Sequence, residues 1–235
     1  MIPIPLNDNI RRRTFWAVTL SLIVVNTWAF LYELSLGHLL NRFIFIYGLV
    51  PARYMTVQGL VTPSVLALFV PIFVSMFLHG GWLHLIGNML FLFVFGRSVE
   101  DRFGHARFLV LYFVSGIGAA FLYIYLNAGS RIPSIGASGA IAGVLGAYFI
   151  CFPRARITTV IFLVFFFWTI QLPALLVLGY WFLVQFATGF QMLTIQSATG
   201  GGVAWWAHVG GFLTGLILAL VFQPRRPRVE IIRPY

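Results

Sequence analysis

A chain of 235 residues that is 60% hydrophobic and only 9% charged carries more apolar surface than one soluble core can hide, so lipid must be the solvent for most of it. The formal net charge of +10 does not point to nucleic acid, because all 15 basic residues are arginine and they cluster at the edges of apolar runs, as membrane topology requires. The single cysteine, Cys151, excludes an intramolecular disulfide and a cysteine metal cluster.

In chain order, Arg11, Arg12 and Arg13 precede an apolar run too long for a signal peptide, which reads as an uncleaved anchor span over about residues 15–35, entering from the cytoplasm and closed by Glu33. The mixed segment 36–77 is expected to be an outer loop partly associated with the membrane. Gly48, Pro51, Gly59, Pro63 and Pro71 should interrupt any helix within it. A second span, about 78–97, ends at a rim of Arg97, Glu100, Asp101, Arg102 and Arg107. A third follows over about 107–126, and a fourth over about 138–152, stopping at Arg154 and Arg156. Residues 157–170 are read as an oblique or interfacial lead-in to a fifth span at about 171–189, and a sixth covers about 204–222. Counting one span rather than two between 157 and 189 keeps Arg225, Arg226 and Arg228 inside and leaves only Arg42, Arg53 and Arg131 outside. The expectation is therefore an all-α polytopic membrane protein with a single six-helix domain over residues 1–235 and both termini cytoplasmic.

Polar side chains inside such spans need a partner or a purpose. The candidates are His79, His84 and Asn88 on the second span, Ser138 on the fourth and His208 on the sixth. His84 and Asn88 share a helical face, and the alternation of span directions brings all five toward the outer ends of their helices. The acids Asp8, Glu33, Glu100, Asp101 and Glu230 are expected to lie elsewhere, so no carboxylate is available for a triad. The remaining chemistry is a dyad in which His208 is general base to a Ser138 nucleophile, with Asn88 and His84 stabilising an oxyanion. A two-His, one-Asn zinc site lacks a third firm ligand. The blander reading is packing: a serine among small residues is commonly structural, and Gly139, Gly143 and Gly146 on one span and Ala207, Gly211 and Gly215 on another form close-approach stripes. The two readings are compatible, since such stripes let helices come near enough for Ser138 to reach His208.

Gly136-Ala137-Ser138-Gly139, Ala207-His208-Val209-Gly210-Gly211 and the segment from His79 to Asn88 resemble the rhomboid intramembrane serine proteases, and Glu100-Asp101-Arg102-Phe103-Gly104 with Tyr47-Gly48-Leu49-Val50-Pro51 is similar to bacterial-type members. The resemblance covers roughly residues 45–220. It implies a six-helix fold, Ser138 as nucleophile, His208 as base, and His84 and Asn88 on the oxyanion side. It further implies no cofactor or metal, transmembrane protein substrates, the bilayer as the other partner, and a bacterial inner membrane with the site toward the outer face. The fifth span and the uncharged loop 190–202, with Gly200, Gly201 and Gly202, are the expected lateral gate. The chain departs from the family pattern in lacking a Trp-Arg pair in the outer loop and in placing Ala142, not tyrosine, one turn after the serine. Two other classes compete: a non-catalytic rhomboid-like protein that binds or escorts membrane helices, and a small-solute transporter, which would be expected to carry inverted repeats and intramembrane acids.

Overall fold

The computed structural model describes residues 4–55, 64–163, 166–194 and 204–222. The order is β1 (Ile4–Asp8), α1 (Ala17–Ser35), α2 (Leu40–Tyr47), a single turn at Ala52–Met55, α3 (Val65–Val74), α4 (Trp82–Phe103), α5 (His105–Leu126), α6 (Ser138–Cys151), β2 (Arg156–Leu163), β3 (Phe166–Pro173), α7 (Ala174–Thr194) and α8 (Trp205–Val221). The chain is a polytopic helical membrane protein: α1, α4, α5 and residues Ala174–Met192 of α7 are long and apolar enough to cross a bilayer, and α6 and α8 are shorter apolar helices.

The expectation of an all-helical chain fails at both ends of one small sheet. Residues 157–170, expected as an oblique lead-in, and 171–173, expected as the start of the fifth span, fall in the antiparallel pair β2 and β3, and β1 adds to the free edge of β2 with Asp8 opposite Ile157 and Ile4 opposite Val160. The physical reason lies in composition. Ile157, Thr158, Thr159, Val160 and Ile161, and then Phe167, Trp168, Thr169 and Ile170, are β-branched or aromatic residues that favour a pleated surface over a helix.

Three further details differ from expectation. Pro71 lies inside α3 rather than ending it. α4 begins at Trp82, after an extended His79–Gly81 entry, and runs on through a π-helical turn at Leu92–Gly96 as far as Phe103, so Glu100, Asp101 and Arg102 belong to the helix and not to a rim beyond it. Glu33, expected merely to close α1, is buried, and its carboxylate accepts the backbone N–H of His79 at 3.0 Å. The proposed gate glycines 200–202 and the arginines at 225, 226 and 228 lie outside the described residues.

One end of the bundle is tied by carboxylates. Glu100 accepts the N–H groups of Val18 and Thr19 at 2.8 and 2.7 Å and the Thr19 hydroxyl at 2.6 Å, which satisfies orphan donors at the start of α1. Asp101 accepts from Thr14 N–H, and Asp8 accepts from Arg12, from Ser98 Oγ at 2.6 Å and from the Tyr148 hydroxyl at 2.9 Å. β1, α1, α4 and α6 are thereby joined on the arginine-rich side.

The core is α6 wrapped by α5 and α8. Every residue from Gly139 to Tyr148 is buried, as befits a helix that is apolar on all faces. α6 and α8 touch backbone to backbone: a Cβ on Gly211 would fall 1.9 Å from the Gly139 carbonyl oxygen, and one on Gly215 would fall 1.9 Å from that of Gly143. The small-residue stripes of the two helices are thus the surfaces that meet.

Gly211→Ala should therefore lower thermal stability in detergent by ~1–3 kcal/mol, since neither backbone can give way to the new methyl. A melting temperature equal to that of the unsubstituted protein would contradict so tight a contact. Glu100→Ala should cost at least ~2 kcal/mol by orphaning three donors at the start of α1, readable in the same melts.

Candidate active site

Ser138 is the first residue of α6, so its own N–H and those of Gly139 and Ala140 precede the first helical hydrogen bond, from Ile141 N–H to the Ala137 carbonyl at 3.0 Å. The loop that delivers it is pinned twice. Leu49 and Ser134 exchange backbone hydrogen bonds at 3.0 and 2.8 Å, and Gly136 N–H donates to the Ser75 carbonyl at 2.8 Å. The Tyr47–Pro51 segment of the outer loop thus serves to hold the approach to the serine. Arg53, on the adjoining turn, donates to the Ile46 carbonyl at 3.0 Å and to that of Phe45, over whose ring its guanidinium sits, and this fastens the loop without a Trp-Arg pair.

Gly136 has φ +130°, open to glycine and strained for other residues, and a Cβ there would lie 2.7 Å from His84 Nε2 and 3.6 Å from Ser138 Oγ. His84 is therefore close beside the serine. Its Nδ1 accepts the N–H of Gly80 at 3.3 Å, which leaves Nε2 as the protonated, donating nitrogen. Asn88, one turn further along α4, is buried, and its Nδ2 has no hydrogen-bond partner among the described residues. His79 lies against His84 with ring centroids 5.2 Å apart, but its Nδ1 is turned to the Phe77 carbonyl at 3.2 Å, so it stands behind the site rather than in it.

From α8, His208 Nε2 is 2.8 Å from Ser138 Oγ. The residues come from helices 70 positions apart and meet because α6 and α8 are in backbone contact. His208 Nδ1 is 2.6 Å from Oε1 of Gln185 on α7, and the Trp181 ring lies 5.7 Å from the imidazole, tilted by 38°. A tryptophan thus stands against the histidine. A cavity of about 30 Å³, room for a water molecule or two, adjoins Ser138 and is lined in part by Ser75, Met76, Gly116, Ser134 and Gly139.

The structure brings Ser138, His208 and His84 together, with Asn88 a turn from His84, and leaves His79 outside. Gln185 and Trp181, and the burial of Glu33, escaped the sequence reading. A signal for Gln185 existed: it is an amide in the middle of an apolar span, four residues after Trp181, and the rule that picked out His84 and Asn88 applies to it equally. Chemically, a hydroxyl at hydrogen-bond distance from an imidazole nitrogen, with N–H donors on the adjoining side, is an arrangement suited to attack on a carbonyl carbon.

Residues 67–225 match the family described as Rhomboid domain. Among relatives, RHOMBOID-like protein 5 of Arabidopsis thaliana is 33% identical over 160 residues, covering 67% of this chain and 45% of the relative. Rhomboid protein 1, mitochondrial, of Saccharomyces cerevisiae is 31% identical over 152 residues, or 61% and 39% of the two chains. Presenilin-associated rhomboid-like protein, mitochondrial, of Bos taurus is 30% identical over 206 residues, or 81% and 50%. The chain spans half the length of these relatives or less.

Gly136→Ala should lose at least ~1 kcal/mol of stability from its backbone conformation alone, with the clash against His84 added. Gly129→Ala, where a methyl meets nothing within 4 Å, is the matched control. Equal melting temperatures for the two variants would contradict the placement of His84 against Gly136.

Proposed function

Since the chain belongs to the rhomboid family, we propose that it is an intramembrane serine endopeptidase that cleaves transmembrane segments of other membrane proteins by a Ser138–His208 dyad. The observation that carries this reading is the 2.8 Å contact between Ser138 Oγ and His208 Nε2 at the half-buried start of α6. His208 takes the hydroxyl proton as Oγ attacks the scissile carbonyl carbon. The oxyanion that forms draws on Asn88 Nδ2, His84 Nε2–H and the Ser138 N–H, each of which is a donor free to turn to a ligand. His208 then gives its proton to the leaving amine, and a water, activated by the same imidazole, hydrolyses the acyl-enzyme. The cavity beside Ser138 is large enough to hold that water.

In this reading α1, α4, α5, α6, α7 and α8 are six spans of one membrane domain, and the dyad opens toward the arginine-poor side, opposite the Asp8, Glu100 and Asp101 ties. α7 is the most lipid-exposed of the long helices, with Leu183, Phe186 and Phe190 outward, which supports substrate entry past it. A substrate helix must unwind to offer its carbonyl, so helix-breaking residues near the scissile bond favour cleavage. Several relatives carry "mitochondrial" in their names, so a bacterial inner membrane is not favoured over other membranes for this chain.

The test is cleavage of a transmembrane substrate by purified protein in liposomes. Ser138→Ala and His208→Ala should abolish cleavage, and Asn88→Ala should lower turnover by ~10²-fold or more as a main oxyanion donor. Undiminished cleavage by Ser138→Ala overturns the protease. A wild-type protein that captures the substrate helix yet never cleaves it supports a non-catalytic binder instead.

A further inference from the structure

We infer that Gln185 is a positioning residue of this site: from α7 its side-chain carbonyl holds His208 in the tautomer and orientation that present a basic Nε2 to Ser138. This rests on the protease reading above and extends it to a third helix.

Both imidazole nitrogens are engaged, on opposite edges of the ring. Nδ1 lies 2.6 Å from Gln185 Oε1 and Nε2 lies 2.8 Å from Ser138 Oγ. A neutral imidazole carries one N–H, and an amide oxygen only accepts, so with Oε1 turned to the ring the contact to Gln185 is a hydrogen bond only when the proton is on Nδ1 and the lone pair on Nε2. That is the productive form. Were the proton on Nε2, His208 would donate to the serine and could not deprotonate it.

A carboxylate fills this role in a Ser-His-Asp triad. Here the described carboxylates are spoken for at other places: Glu33 by the His79 backbone, Glu100 by the start of α1, Asp8 by Arg12, Ser98 and Tyr148, and Asp101 by Thr14. Gln185 is 6% exposed, and His208 is also buried. In so dry a place a neutral amide is far less costly to house than an ion, so an amide can supply the acceptor without bringing a charge into the membrane. Gln185 also stands four residues after Trp181, on the same helical face, and Trp181 lies against the imidazole. One face of α7 thus provides both the wall that sets the ring plane and the acceptor that sets the ring's rotation.

A consequence follows from where the acceptor is carried. α7 is the most lipid-exposed of the long helices, and a displacement of about an ångström would take a 2.6 Å contact outside hydrogen-bond range. His208 is fully oriented only while α7 is seated.

The experiment pairs kinetics with a spectroscopic reading that needs no substrate. Selective ¹⁵N-histidine labelling in detergent, with His208→Ala to assign the resonance, should show His208 as the Nδ1–H tautomer in the unsubstituted protein. In Gln185→Leu the signal should move toward a mixture of tautomers, kcat on a transmembrane substrate should fall by ~10–10²-fold, and KM should stay within about 2-fold. Gln185→Glu, which restores an acceptor, should recover at least ~10-fold of that loss. A wild-type His208 found mainly as the Nε2–H tautomer overturns the inference even if Gln185→Leu fails to fold. So does a folded Gln185→Leu with unchanged kcat and tautomer. If the wild-type protein cleaves nothing yet shows the Nδ1–H form, lost in Gln185→Leu, the protease reading has failed while the positioning role stands.

Discussion

The contact on which the rest depends is the one between two backbones, α6 and α8, at Gly139 with Gly211 and at Gly143 with Gly215. Side chains reach only a few ångströms, so a serine and a histidine on neighbouring helices hydrogen-bond only when the helices run unusually close. Glycine permits that approach and gains dispersion contacts from it, in a solvent that supplies no hydrophobic drive for helices to associate. The 2.8 Å distance between Ser138 and His208 is thus set by residues that bear no side chain at all, Gly139 next to the serine and Gly143, Gly211 and Gly215 further along the two helices.

A second constraint is depth. At 14 residues, α6 is roughly 21 Å long against a hydrocarbon core of ~30 Å. It is enclosed by protein from Gly139 to Tyr148. Its far end is held by Tyr148 on Asp8, within the carboxylate ties of the arginine-rich side, and in the six-span reading proposed above the shortfall falls at the other end, where Ser138 begins the helix. The loop before it is held in turn by Leu49 and Ser75, whose hydrogen bonds bring the unpaired N–H groups of the helix start to the same place as His84.

Much of this was legible in the sequence, for reasons that can be named. Apolar length pointed to α1, α4, α5 and α7, which are long enough to cross a bilayer, and to the shorter α6 and α8, and the rule that polar groups in lipid need a purpose singled out Ser138, His208, His84 and Asn88. The stripes through Gly139 and Gly211 pointed to the surfaces that meet. The sheet was missed because Ile157 to Ile170 is as apolar as a span, and hydrophobicity alone does not separate a strand from a membrane helix; its β-branched content was the discriminating signal. Glu33 was missed because its partner is a backbone N–H, which no side-chain pattern announces. Gln185 was passed over because the search for a third partner to His208 was a search for a carboxylate.

Reaction with a fluorophosphonate in detergent, followed by mass mapping of the adduct, tests the central claim most directly, because it depends on the nucleophile and its base and on no substrate. The account predicts one adduct, on Ser138, that is lost in His208→Ala. An adduct on another serine, or equal labelling of Ser138 without His208, would contradict it.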